Sequence, residues 1–198
     1  YFGYNDFSGI NIDATMINIR KPYILFVGDR GGYKNFNNLV LAYSKSKFLK
    51  NNFSLVVFGG GEFNSDELNL LNDNKLVIND NVHIYNGTDE SLAFLYKNAL
   101  CMVYPSMYEG FGLPLLEAMS MGCPVVASNT SCIPEIVGNA AYLFNPYSLD
   151  DIEDSLNKVI DGEFLRAQLI SNGYIRLENF SWEKCGRETF QCYKKINK

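Results

Sequence analysis

The stretch Tyr23-Ile24-Leu25-Phe26-Val27-Gly28-Asp29-Arg30-Gly31-Gly32-Tyr33-Lys34-Asn35-Phe36 decides the fold. Five consecutive apolar residues have the length and character of a strand buried on both faces. Glycines then end the run, and a helical stripe follows from Asn35 or Phe36. Phe36, Leu39, Val40, Tyr43 and Phe48 fall near one face at a period of 3.6. The same order of strand, turn and helix repeats down the chain. Further apolar runs occupy Ser54–Phe58, Val82–Tyr85, Cys101–Tyr104, 124–127 and Ala141–Phe144. Leu92, Leu95, Tyr96 and Ala99 form a second stripe, with Thr88 or Asp89 as N-cap. Leu149, Ile152, Leu156, Val159 and Ile160 form a third after Ser148. Two more helices are expected over 163–178 and Trp182–Ile196, the last capped by Ser181. This alternation predicts an α/β fold: a doubly wound parallel sheet of about six strands with helices on both faces. Ligands of such sheets bind outside the carboxyl ends of the strands.

Composition bounds the rest. The chain has 198 residues, 17 basic and 22 acidic, for a net charge of −5. That length suits one large domain or two small ones. With 47% apolar residues it can build a core, so disorder is excluded as its main state. The acidic balance argues against a nucleic-acid binder, which needs a basic face; it leaves room for a small local basic site. Five cysteines and a single histidine, with no C-x-x-C pair, give no zinc-site pattern. The odd count reads as reduced thiols in a reducing compartment, which points to the cytoplasm. No apolar run approaches the roughly 18 residues of a membrane span. The first residues form no signal peptide and lack a starting methionine, so the chain is expected to be a piece of something longer. Residues 1–22 read as a polar linker or lead-in rather than a core element, and 23–198 as one domain. His83, among strand apolars, reads as structural.

Three strand ends carry the chemistry. After Val27 come glycines, Arg30 and Lys34 ahead of a helix N-terminus, an arrangement that suits a pyrophosphate. On spacing alone, a plain turn with two solvated cations fits equally. After Phe58 come Gly59-Gly60-Gly61-Glu62; Asn64 stands where G-x-G-x-x-G needs its last glycine, so no dinucleotide fingerprint is present. A simple tight turn is the better reading there. After Tyr104 runs Pro105-Ser106-Met107-Tyr108-Glu109-Gly110-Phe111-Gly112-Leu113-Pro114-Leu115-Leu116-Glu117-Ala118-Met119. Pro114 marks a first helical turn. Glu117 then falls inside a helix that otherwise reads as buried, where a carboxylate needs a partner. Two carboxylates around a glycine loop can accept bonds from vicinal hydroxyls, and the loop amides can donate to phosphate or sugar oxygens. A dipole-complementing acid and a surface glutamate explain the same residues equally well by spacing.

In the setting just quoted, Glu109-x7-Glu117 resembles the E-x7-E signature of the family 4 (group 1) retaining glycosyltransferases. Gly122-Cys123-Pro124-Val125-Val126-Ala127-Ser128, Ile133-Pro134-Glu135-Ile136-Val137-Gly138 and Phe180-Ser181-Trp182 resemble the family's next strand, its PE-x-x-G turn and its F-S-W before the last helix. The resemblance runs from about Tyr23 to the C-terminus. It implies the Rossmann-like, C-terminal donor-binding half of a GT-B enzyme, with residues 1–22 leading in from a missing N-terminal domain. It implies retaining, metal-independent transfer of a mannose- or glucose-type hexose from a nucleoside diphosphate sugar to a glycan or lipid-linked acceptor held by that domain. No cofactor or metal is implied, and no D-x-D occurs. By the same likeness Arg30 and Lys34 hold the diphosphate, Glu109 bonds the donor sugar, and Glu109, Arg30 and Lys34 are the catalytic set. Gly28, Ser106, Gly110, Phe111, Gly112 and Leu113 line the donor, Glu117 bonds the ribose, and Tyr85 and Gly87 flank the base. One departure concerns Arg30: the family often has its arginine directly after the first glycine, where this chain has Asp29. The implied location is the cytoplasm, extending to peripheral association of the full-length enzyme with the inner face of the membrane. Two other classes compete: a non-catalytic nucleotide-binding regulatory module, and a GT-B-fold sugar-nucleotide epimerase. The first does not explain the paired glutamates, and the Phe-Ser-Trp tail disfavours the second.

Overall fold

A computed structural model of the chain describes residues 2–7, 9–10, 12 and 17–196. Its strands are β1 (Tyr23–Val27), β2 (Ser54–Phe58), β3 (Val82–Tyr85), β4 (Cys101–Tyr104), β5 (Val125–Ser128) and β6 (Ala141–Phe144). They form one parallel sheet in the order β3-β2-β1-β4-β5-β6. The two-residue period of a strand divides each run between two cores. In β1, Ile24 and Phe26 enter one core, and Tyr23, Leu25 and Val27 the other. All five are buried, and each large apolar side chain removed from water contributes about 1.5–3 kcal/mol.

Helices cover both faces. α1 (Phe36–Lys45) and α7 (Leu149–Asp161) bury Leu39, Val40, Ile152 and Leu156 against one face. α4 (Asp89–Asn98), α5 (Leu113–Ser120) and α6 (Ile133–Val137) bury Leu95, Leu116 and Ile136 against the other. The remaining helices are α2 (Lys47–Asn52), α3 (Ser65–Asp73), α8 (Glu163–Leu177) and α9 (Trp182–Ile196). No residue of α9 is buried; Trp182, Phe190 and Tyr193 lie exposed along it. Among the described residues, no helix is long and apolar enough to cross a membrane.

Four details differ from the sequence reading. The first helical stripe breaks at Ser46, whose hydroxyl accepts from Leu49 N–H and starts α2, so Phe48 leaves the buried face. The α3 helix was not anticipated; Asn64 and Glu67 form a reciprocal capping box that opens it. The PE-x-x-G segment is a short helix, α6, rather than a turn. The lead-in also reaches the core. Phe7 is buried beside Tyr96, Ile17 and Ile19 pack on the same cluster, and Gly3 lies against Trp182. Of residues 1–22, positions 1, 8, 11 and 13–16 lie outside the described residues.

Candidate functional site

The strand order sets β1 beside β4, and their following helices, α1 and α5, leave to opposite faces. This switch point opens a crevice at the carboxyl ends of the strands. The two loops that form it are tied together. Met107 N–H donates to Tyr33 C=O at 2.7 Å. Asn35 stands at φ 61°, a left-handed conformation that asparagine tolerates better than most residues. Its buried amide donates to the carbonyls of Pro105 (3.1 Å) and Pro146 (2.8 Å). One side chain therefore pins the loops after β1, β4 and β6.

Lys34 and Glu109 meet in this crevice. The Lys34 ammonium lies 2.8 Å from Glu109 Oε1, with the two side chains 18% and 10% exposed. The Tyr104 ring sits 5.7 Å from the ammonium. Burial, and then the charge of Glu109, push the Tyr104 phenol well above its ordinary range. Ser106 is buried in the same loop.

Beyond Ser106 the loop carries Glu109, Gly110, Phe111 and Gly112 into α5. Its carbonyls are satisfied from one side by the segment after β5. Ser128 Oγ donates to Ser106 C=O, and Thr130 Oγ1 to Met107 C=O at 3.1 Å. Ser131 Oγ donates to Glu109 C=O at 2.7 Å, and the Cys132 thiol donates to Glu109 and Phe111 carbonyls at 3.1 and 3.6 Å. Among the described residues, the amides of Gly110, Phe111, Gly112 and Leu113 have no acceptor. Gly112 turns at φ 95°, where an added Cβ would meet Leu115 at 2.8 Å, so only glycine lets the loop enter α5 this way. The result is a row of free N–H groups at a helix N-terminus, beside a lysine, which is an anion-binding arrangement.

Glu117 lies further along α5 and is buried, not on the surface. Its carboxylate accepts from the Tyr96 hydroxyl at 3.3 Å. Burial raises its carboxyl above the ordinary range, the Tyr96 bond opposes the rise, and Asp89 adds to it. An acid whose pKa is raised on folding binds more protons folded than unfolded, so stability falls as pH rises through its titration. Glu117→Gln is therefore expected to unfold at a higher temperature than the wild type at neutral pH, with the gap closing in acid. Parallel melting curves at all pH values would show that Glu117 pays no desolvation cost.

The structure places the remaining sequence-predicted residues as follows. Arg30 is not offered to the crevice. Its guanidinium is buried, paired with Glu67 (Nε–Oε1 2.8 Å, Nη2–Oε2 3.2 Å), and it stacks 4.9 Å from Phe63. It also donates to the carbonyls of Gly59, Gly60, Gly61 and Glu62 at 2.8–3.2 Å. Its five N–H groups are thereby used within the fold. The three glycines, all at positive φ, curl their carbonyls around it, and a Cβ on Gly60 would lie 2.7 Å from Nη1. Gly28, at φ 119°, lies open at the base of the crevice, with its N–H bonded to Phe58 C=O. The Tyr85 side chain leaves the strand ends. It stacks on His83, and its hydroxyl accepts from Asn18 N–H in a groove with Ser54 and Asp80. Gly87 packs on Ser91, and Asn86 accepts from Gly61 N–H. Burial lowers the His83 pKa, and it takes no part in the crevice. Sequence reasoning missed Asn35, Tyr96, Tyr104, Ser131 and Cys132. The left-handed asparagine after a glycine turn was the only one with a local signal.

The chain matches the model of the glycosyl transferases group 1 family over residues 10–176, and it belongs to that family. It is 34% identical over 175 residues, 88% of its length, to the O-antigen chain mannosyltransferase B of Escherichia coli, and covers 46% of that relative. The MMP alpha-(1->4)-mannosyltransferase of Mycolicibacterium hassiacum is 39% identical over 126 residues, 61% of this chain and 31% of the relative. Sucrose-phosphate synthase from Thermosynechococcus elongatus shares the fold with a TM-score of 0.76 and 24% identity, over 98% of this chain and 49% of that one. The chain thus spans less than half the length of these two curated relatives. Its six-strand parallel sheet with helices on both faces has the Rossmann-like α/β fold of GT-B glycosyltransferase structures.

Proposed function

We propose that this chain is the donor-binding part of a retaining hexosyltransferase. Together with an acceptor-binding domain, it moves a mannose-type sugar from a nucleoside diphosphate to a glycan or lipid-linked acceptor. The observation that carries the reading is the Lys34–Glu109 pair at the switch point, beside the free amides of residues 110–113. Lys34 and those amides face the diphosphate. As the bond between the sugar carbon and the diphosphate oxygen breaks, negative charge grows on the leaving group, and preorganised donors are worth most there. The step needs no metal or cofactor in this reading. Glu109 bonds hydroxyls of the sugar, and Glu117 bonds the ribose, whose O–H donors replace the lost solvation of a buried carboxylate. The backbone of 85–87 borders the base. The mannose-type donor is favoured because the relatives at 34% and 39% identity are mannosyltransferases by name. The enzyme works in the cytoplasm, and on a lipid-linked acceptor it works at the membrane's inner face.

Calorimetry with GDP and UDP tests the anion site. Lys34→Ala is expected to weaken the responding nucleotide by about 1.5–3 kcal/mol, the range of a charged hydrogen bond. Unchanged affinity would remove Lys34 from the site. A response to flavin mononucleotide in place of either nucleotide would favour the regulatory-module reading.

A further inference from the structure

We propose that Ser131 is a positioning residue that aims Glu109, an inference that rests on the donor-site reading above. Ser131 stands at φ 57°, in the left-handed region that a non-glycine residue rarely adopts. Such strain persists where the surrounding structure over-determines it, and it clusters at functional sites. The hydroxyl of Ser131 makes two bonds to one residue. It donates to Glu109 C=O at 2.7 Å and accepts Glu109 N–H at 3.2 Å. Both main-chain polar groups of Glu109 are thus held by a single side chain. The next residue, Cys132, gives the same carbonyl a second donor.

The bracing matters because of what surrounds Glu109. Gly110 and Gly112 follow it, so its own loop is conformationally permissive. Ser131, by contrast, leads directly into α6, whose Ile133 and Ile136 are buried in the core. The core-anchored element therefore braces the glycine-bearing loop. With its main chain held, the Glu109 carboxylate keeps its 2.8 Å contact to Lys34 and presents its remaining lone pairs to the crevice. Ser131 makes no hydrogen bond to Lys34; through the Glu109 carbonyl it also orients the Gly110 N–H, which shares that peptide plane. Its loss should be felt more by the ligand group that Glu109 reads than by the diphosphate.

The test compares affinities of wild type, Ser131→Ala, Ser131→Gly, Glu109→Gln and the Ser131→Ala/Glu109→Gln double variant. The probes are GDP, UDP, GDP-mannose and UDP-glucose. Both Ser131 variants are expected to lose about five-fold in affinity for the responding nucleotide sugar, the worth of one ordinary hydrogen bond, and to lose less for its nucleoside diphosphate. Ser131→Gly relieves the left-handed backbone, so its thermal midpoint should equal or exceed that of the wild type while the sugar preference still falls. In the Glu109→Gln background, Ser131→Ala should cost the nucleotide sugar no more than it costs the nucleoside diphosphate. A wild-type preference for the nucleotide sugar in Ser131→Gly, or additive losses in the double variant, would overturn the positioning role and leave the donor site standing. A wild-type chain that binds none of the four probes would overturn both.

Discussion

Arg30→Ala is expected to lower the unfolding free energy by about 3–5 kcal/mol, the cost of breaking a buried ion pair from one side. Glu67 would be left as a buried carboxylate without its bidentate partner. The carbonyls of Gly59, Gly60, Gly61 and Glu62 would lose their common donor, and the glycine turn would lose the object it wraps. Arg30→Lys should recover little, because one ammonium cannot satisfy carbonyls on several sides of a planar fork. Urea unfolding reads the effect as a lower midpoint at an unchanged slope. Nucleotide affinity measured well below the melting temperature should hardly move. A small stability change with a large loss of nucleotide affinity would return Arg30 to the diphosphate.

A loss of about 2–4 kcal/mol is expected for Asn35→Ala, from two separable causes: a strained left-handed alanine and two buried carbonyls without donors. Asn35→Gly removes the first cause and keeps only the second, so it should be the milder variant by about 1 kcal/mol. The carbonyls involved belong to Pro105 and Pro146, 70 and 111 residues away, so either variant also loosens the loop that carries Glu109. Stability measured by denaturant and affinity for a nucleoside diphosphate should fall together. Equal stabilities for the alanine and glycine variants would show that the left-handed backbone is not the costly part.

The strands were legible because a buried parallel strand announces itself in one dimension. Five of the six runs, from Tyr23–Val27 to Ala141–Phe144, coincide with strands, and the fifth strand lies one residue beyond its run. The site was legible only in its parts. Lys34 and Glu109 were each conspicuous, but they are 75 residues apart, and their meeting depends on β1 pairing with β4. Arg30 was assigned to a diphosphate because a guanidinium fits a phosphate and a carboxylate equally well. Its partner was hidden in the capping box of α3, a helix the apolar pattern did not reveal. Ser131 and Cys132 carried no signal, since short polar residues after a strand look the same whether or not they hold a neighbouring loop.

The switch point is also a seam. Strands β1 to β3 come from one continuous stretch, residues 23–85, and strands β4 to β6 from the next, 101–144. Two register pairs between β1 and β4 join these halves within the sheet, and the Lys34–Glu109 pair and the Asn35 amide fasten the seam's outer end. Closing so long a span is entropically slow to begin and cooperative once made. A molecule lodged across the seam is therefore a staple between two successive pieces of chain, bound only when both have folded and met. By mass action it raises the unfolding free energy by RT ln(1 + [L]/Kd), so occupancy can be read as resistance to heat.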